Sequence, residues 1–347
     1  MGERERADVT CRAVRVTTTA EPARAAEADR HTPRVIRDVP SRVDKAFDRV
    51  TFTAGLTVLL LLTLVGLYLL LRSRDAISQT GLWTFLTREE WRTDVNPPRI
   101  GVLGLLTGTV IVALIAVVIA VPFGTLAALF ITEYSSARTR RYLTTVVDLM
   151  AAIPSLLFGI WGFLFLSGQV VPLSKWLGDN LGFIPIFATD KGARLTGSMF
   201  IAGIVVSLMT LPIIASIVRE VFAQTPPGEK EAALALGSTR WGMIRAVVLP
   251  YGRGGIIGGS MLGMGRALGE TIAVALLLPQ VPQVTFRVLE NGGATVSGFI
   301  ALRAGADAFT VSGLMAAGLV LFVLTLATNM VASVVVARSR SGQGVDL

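Results

Sequence analysis

EKEAALALGSTRWGMIRAVVLPYGRGGIIGGSMLGMGRALGETIAVA, residues 229–275, decides how the rest of the chain is read. It begins as a polar loop with short amphipathic pieces and ends as a glycine-laden apolar helix carrying Arg266 and Glu270 in its interior. Just upstream, Pro226 and Pro227 suit a helix start, where a missing N–H costs nothing. EKEAALAL is rich in strong helix formers, and Gly237 can close that helix with a left-handed cap. Ser238 or Thr239 can cap the next piece, which Pro250 is expected to stop. The spacing therefore predicts a helix–turn–helix in water beside a membrane, with Ala232 and Ala233 small enough to admit a close partner. The plainer reading, an amphipathic connector between two spans, does not account for this order of signals.

Composition supports the membrane. Hydrophobic residues make up 52% of the chain and charged residues 16%, well under the roughly 25% charged of soluble domains. Several apolar runs reach the roughly 20 residues that cross a bilayer as helix. Cys11 and His31 are the only residues of their kinds, which rules out an internal disulfide and a His/Cys metal cluster. None of the four lysines follows a glycine, so the phosphate loop of ATPases is absent and any ATP is hydrolysed by another chain. The net charge is +8, and eleven Lys and Arg precede residue 50. Beside an apolar run this implies anionic membrane lipids and topology control rather than nucleic acid.

Working outward, the expectation is an all-α integral membrane protein with six transmembrane helices, at about 52–71, 103–132, 143–167, 197–220, 252–278 and 310–336. Residues 1–45 lack apolar periodicity and read as a disordered cytosolic tail. Residues 46–338 form the membrane domain, 221–250 its cytoplasmic loop, and 339–347 a C-terminal tail. The Lys/Arg bias places both termini in the cytoplasm and the protein in the cell membrane as a multi-pass chain. In the outer loop 72–101, the aromatics at 83, 85 and 91 read as interfacial anchors; the alternative is a docking surface for an external partner. Pro154 and Gly159 mark a break or a close approach in the third helix.

In the fifth helix, Gly255, Gly259 and Gly263 recur every four residues and Ala267 and Thr271 continue the row, a face built for close helix packing. Arg266 and Glu270 continue the adjacent row of Gly254, Gly258 and Leu262. Arg266 lies about 21 Å along the helix from residue 252, inside the hydrocarbon core, where an arginine costs about 2.5–3.5 kcal/mol on the insertion scale. The order base-then-acid is the weaker one for a helical i,i+4 pair, so helix stability alone is a poor reason for both charges. A buried ion pair fixing helix register is one reading. The other is an anion site, with Gly265 and Gly269 leaving room near the backbone. A guanidinium fork suits tetrahedral oxyanions. A neighbouring carboxylate repels sulfate but can accept the O–H of hydrogen phosphate.

Glu231-Ala232-Ala233, Gly237, Val247 and Leu249-Pro250 carry the spacing of the EAA loop, with Val247 where an isoleucine is usual. With IPSLLFGIWG (153–162), LPIIASIVREVF (211–222), LPYGRGGIIGG (249–259) and GRALGETIAV (265–274), residues 72–338 resemble the PstC-type permease of the phosphate-specific ABC importer. The resemblance implies the type I permease fold of ABC importers and a permease that is not itself an enzyme. It implies a PstA-type sister permease, a PstB-type ATPase dimer that binds ATP and Mg, and an extracytoplasmic phosphate-binding protein. It implies a substrate pathway at Arg266, Glu270 and Thr271, and ATPase coupling at Glu231, Ala232, Ala233 and Gly237. No cofactor or metal is expected in this chain. A permease for sulfate or molybdate would share the architecture. An ion-gradient-driven secondary transporter should show inverted repeats and several intramembrane carboxylates, which the sequence does not display.

Overall fold

An apolar helix remains in a membrane only if its backbone groups are paired within it, and long helices dominate what forms here. The computed structural model describes residues 41–340. Cys11, His31 and most of the predicted N-terminal tail lie outside the described residues, as do residues 341–347. The chain divides into two units, 1–61 and 62–347. The described part of the first is Ser41 and the beginning of helix α1 (Arg42–Arg72). A reciprocal cap starts that helix: Asp44 N–H donates to Ser41 Oγ at 3.1 Å, and Ser41 N–H to Asp44 Oδ2 at 2.8 Å. The span expected at 52–71 thus begins ten residues earlier, because a capped polar turn precedes the apolar run. Apolar side chains are exposed all round its first half, as lipid contact requires.

In the second unit, α2 (Arg74–Thr80), α3 (Leu82–Thr87) and a short hairpin of β1 (Trp91–Arg92) and β2 (Arg99–Ile100) fold the expected loop 72–101 into structure. Then come α4 (Leu103–Leu129), α5 (Ala137–Ala152), α6 (Ser155–Trp161), α7 (Ser167–Leu181), α8 (Met199–Ala223), α9 (Pro227–Ala235), α10 (Arg240–Met243), α11 (Leu249–Gly269), α12 (Ile272–Leu277), α13 (Val296–Arg303) and α14 (Ala308–Arg340). Wider π-helical turns extend α4 through Phe130–Tyr134, join α6 to α7 at Gly162–Leu166, and join α10 to α11 at Ile244–Val248.

Five helices among the described residues are long and apolar enough to cross a membrane: Arg42–Arg72, Leu103–Tyr134, Ser155–Leu181, Met199–Ala223 and Ala308–Ala337. The third differs from the expected 143–167. Pro154 holds Ile153 extended, so α5 ends as a separate amphipathic helix and the span starts at Ser155. Gly159 is a close approach, since a Cβ there would lie 2.8 Å from Ala273 Cα. The fifth expected span, 252–278, is not one helix: α11 stops at Gly269 and α12 begins at Ile272.

α8 is central, with 67% of its most apolar stretch buried against 28% or less for the other four. Gly203 of α8 faces Ile115 and Gly124 of α4 faces Ile214, so these two helices run parallel. On α11, Gly255 meets Val221 and Gly263 meets Ile214, so α11 runs antiparallel to α8. Gly66 meets Phe322, and Leu69 meets Gly318, an antiparallel approach of α14 to the end of α1. These directions match a chain that crosses back and forth.

The aromatic expectation is corrected. Phe85 and Trp91 are core residues, with Trp91 edge-on to Phe85 and Phe299 at ring separations of 6.5 and 5.1 Å. Only Trp83 of the three is exposed, at 77%. The hairpin turns Trp91 inward, which a residue count cannot reveal.

Candidate functional site

Two regions gather the predicted site residues. At one end of the bundle, α9 starts at Pro227 and Gly237 follows it at φ +82°. Ser238 N–H reaches back to Ala233 O and Gly237 N–H to Leu234 O, closing the helix as a left-handed cap does. Thr239 caps α10 by accepting from Gly242 N–H at 3.1 Å. Glu231, Ala232 and Gly237 are exposed, together with Leu234, Trp241 and Leu236, the last 90% exposed. Ala233 is half-buried and packs toward the cluster of Met243, Ile244 and Val248. The open surface of the loop is therefore Glu231–Ala232 with the two leucines, rather than both alanines.

Pro250 does not end the second piece. Leu249 N–H donates to Ile244 O, five residues back. That widened turn makes room for the proline ring, which otherwise runs into the carbonyl four residues earlier. Arg240 to Gly269 is consequently one uninterrupted helical run, on the order of 45 Å long.

At the far end of that run the helix stops without a proline. Glu270 is extended, at φ −65° and ψ 127°. Its carbonyl, turned out of the helix, accepts from Ser297 Oγ of α13 at 2.6 Å. Thr271 Oγ1 donates to Gly269 O at 3.0 Å. Arg266 and Glu270 therefore do not form the i,i+4 pair that a continuous helix predicts, and no ion pair or hydrogen bond joins their side chains among the described residues. Glu270 is buried, at 8% exposure, whereas Arg266 is exposed.

The two glycine rows separate as expected. Gly255, Gly259 and Gly263 lie against α8, while Gly258 of the adjacent row has open space where a Cβ would stand, as does Gly269, which belongs to neither row. Asn329 of α14 comes within 3.7 Å of a Cβ built on Gly265, adding an exposed amide beside Arg266. The sequence carried a signal for it, an amide within an apolar span. Ser297 had no such signal, because its role depends on where α13 lands.

Beyond α12, a cavity of about 430 Å³ is lined by Phe163, Ser167, Thr196, Leu276, Pro279 and Asn291. The loops around it are tied together. Asn291 Nδ2 donates to Thr196 O at 2.6 Å, and Arg287 pairs with Asp190 and Glu290. The hydrogen bond from Arg287 to Asp190, with that carboxylate's charge, holds the guanidinium above its ordinary pKa. Gln280 bridges Val274 O and Thr295 N–H, and Thr109 of α4 accepts from Val296 N–H at 2.9 Å.

Residues 120–341 match the family described as binding-protein-dependent transport system inner membrane component. The chain is 38% identical over 294 residues to the phosphate transport system permease protein PstC 2 of Mycobacterium tuberculosis, covering 84% of this chain and 91% of that protein. It is 36% identical to PstC of Xylella fastidiosa, covering 90% and 95%. Among solved structures, it is similar to a bacterial ABC transporter involved in the import of the acidic polysaccharide alginate, with a TM-score of 0.55 at 18% identity over 86% of this chain and 99% of that one. That likeness concerns the fold.

Proposed function

This chain belongs to the family of binding-protein-dependent transport system inner membrane components, and on that premise we propose that it is the permease subunit through which an ATP-driven importer passes inorganic phosphate across the inner membrane. ATP and Mg are bound by a partner ATPase, not by this chain. The kinship with phosphate permeases over nine-tenths of their length supports the substrate. The observation that carries the site is the separation of Arg266 from Glu270. The guanidinium has no partner among the described residues, with open space at Gly269 beside it. It is free to take a tetrahedral oxyanion, and Asn329 can donate to a further oxygen.

Glu270 then selects. Hydrogen phosphate donates its O–H to the buried carboxylate; sulfate has no proton to give and is repelled. Thr271, half-buried at the same break, lies on the path. The cavity at the other end of α12 is its outer mouth, fed by an extracytoplasmic phosphate-binding protein docked on the outer loops. Residues 46–338 are the transport domain, with both termini cytoplasmic. Its partners are a PstA-type sister permease, which completes the path, and a PstB-type ATPase dimer seated on Glu231, Ala232, Ala233 and Gly237. The loop 221–250 receives the ATPase stroke, and the helical run from Arg240 to Gly269 delivers it to the break.

The test is competition uptake by the assembled transporter. Wild type should import phosphate against excess sulfate. Glu270→Gln should lose about tenfold or more of that discrimination, the worth of one hydrogen bond to a charged group. Unchanged discrimination would remove Glu270 from selection. Equal competition by sulfate or molybdate in the wild type would give the architecture to another oxyanion, and uptake surviving ATP depletion would point to a secondary transporter.

A further inference from the structure

The coupling loop is joined to the bundle by more than its own chain. Lys230, next to Glu231 on α9, places Nζ 2.6 Å from Glu133 Oε1 at the end of α4. Glu133 is 7% exposed and Lys230 21%, so water screens the pair little. The surroundings make this end of α4 a grip. Arg240, at the start of the run into α11, lies over the Tyr134 ring at 5.5 Å. Arg140 of α5 donates to the carbonyls of Ile131 and Thr132 at 3.1 and 2.5 Å. The π-helical turn Phe130–Tyr134 is thus held from α5, α9 and α10 at once.

The other end of α4 arrives at the substrate path. Thr109, about 36 Å along the helix from Glu133, accepts from Val296 N–H, and the next residue, Ser297, donates to the Glu270 carbonyl. A rigid helix with polar contacts at both ends can carry a displacement from one to the other. Force entering at α9 therefore has two routes to Glu270. One is covalent, through α10 and α11. The other runs through Lys230–Glu133, α4, Thr109 and Ser297.

We propose that the Lys230–Glu133 ion pair is a positioning pair that transmits the coupling loop's motion into α4, so that both walls around Glu270 move together. This rests on the permease reading above. A purely structural pair would change how much transporter assembles but not how much substrate moves per ATP hydrolysed.

The test is the ratio of phosphate transported to ATP hydrolysed by the assembled complex in proteoliposomes. Glu133→Gln and Lys230→Met should each lower that ratio about tenfold, the usual scale of a coupling free energy, with ATP hydrolysis persisting. The exchange Glu133→Lys with Lys230→Glu, and the conservative Lys230→Arg, should recover most of it. An unchanged ratio in the single variants, or a ratio that falls and is not recovered by the exchange, would overturn the proposal. If the single variants do not assemble, Glu133→Asp decides: it keeps both charges but shortens the reach to Lys230 by one methylene, so a lowered ratio supports the proposal and a wild-type ratio overturns it. A wild type that hydrolyses ATP without importing phosphate would overturn the functional reading instead, and the single variants' ratios, read with sulfate or molybdate as the imported anion, would still decide the pair.

Discussion

Pro250 and Glu270 stand at opposite ends of α11 and invert what their residue types suggest. The proline, a helix breaker, sits inside a continuous helical run; the glutamate, a good helix former, stands where the helix ends. The difference lies in the backbone groups each position frees. Before Pro250 the i−5 bond from Leu249 to Ile244 absorbs the missing donor and the ring. At Glu270 the freed carbonyl is captured from outside the helix by Ser297. Helix continuity in a membrane is thus decided by where each backbone group finds its partner. Here it gives a continuous arm from Arg240 to Gly269 and a shaped break at Glu270.

Substitutions at the two ends can break this comparison. The largest effect is expected on the welded half of the arm. Gly255→Leu drives a side chain into Val221 and should cost about 3 kcal/mol, whereas Gly269→Ala, facing open space, should leave stability nearly unchanged; thermal unfolding in detergent reads both. Equal losses would mean that the two ends are packed alike. Next, Ser297→Ala leaves the Glu270 carbonyl without its donor and should cost about 1–2 kcal/mol, with a rise in the phosphate concentration for half-maximal uptake. Ser297→Thr, which keeps the hydroxyl, should restore both. The smallest effect belongs to Pro250→Ala. With the π-helical turn already accommodating the ring, stability should shift by no more than about 0.5 kcal/mol and uptake should hardly change. A large gain in stability there would show that Pro250 strains the arm after all.

Much of the fold was legible because its signals are local. Long apolar runs located four of the six spans closely, and Pro227, Gly237 and Thr239 gave the caps of the loop before α11 within a residue. The row of Gly255, Gly259 and Gly263 gave the face that meets α8. The site was legible in part. Arg266 and Glu270 stand out as charges in an apolar stretch, yet their pairing was misread, since an i,i+4 contact presumes a helix that continues. Trp91 and Phe85 were misplaced for a related reason: the hairpin that turns Trp91 inward is held by α13 and α14, far along the chain.

The sequence by itself determined that this is an all-α membrane protein without an ATPase motif, with a capped helix–turn–helix leading into a charged apolar stretch. Hydropathy, capping and motif spacing act over a few residues and need no partner. Only the tertiary structure decided that the span breaks at Glu270, that Pro250 breaks nothing, and that Lys230 reaches Glu133. Each of those depends on a hydrogen bond, an ion pair or a packing contact fixed by the folded chain, and the donor or acceptor at Glu270 and at Lys230 comes from an element that only folding brings near.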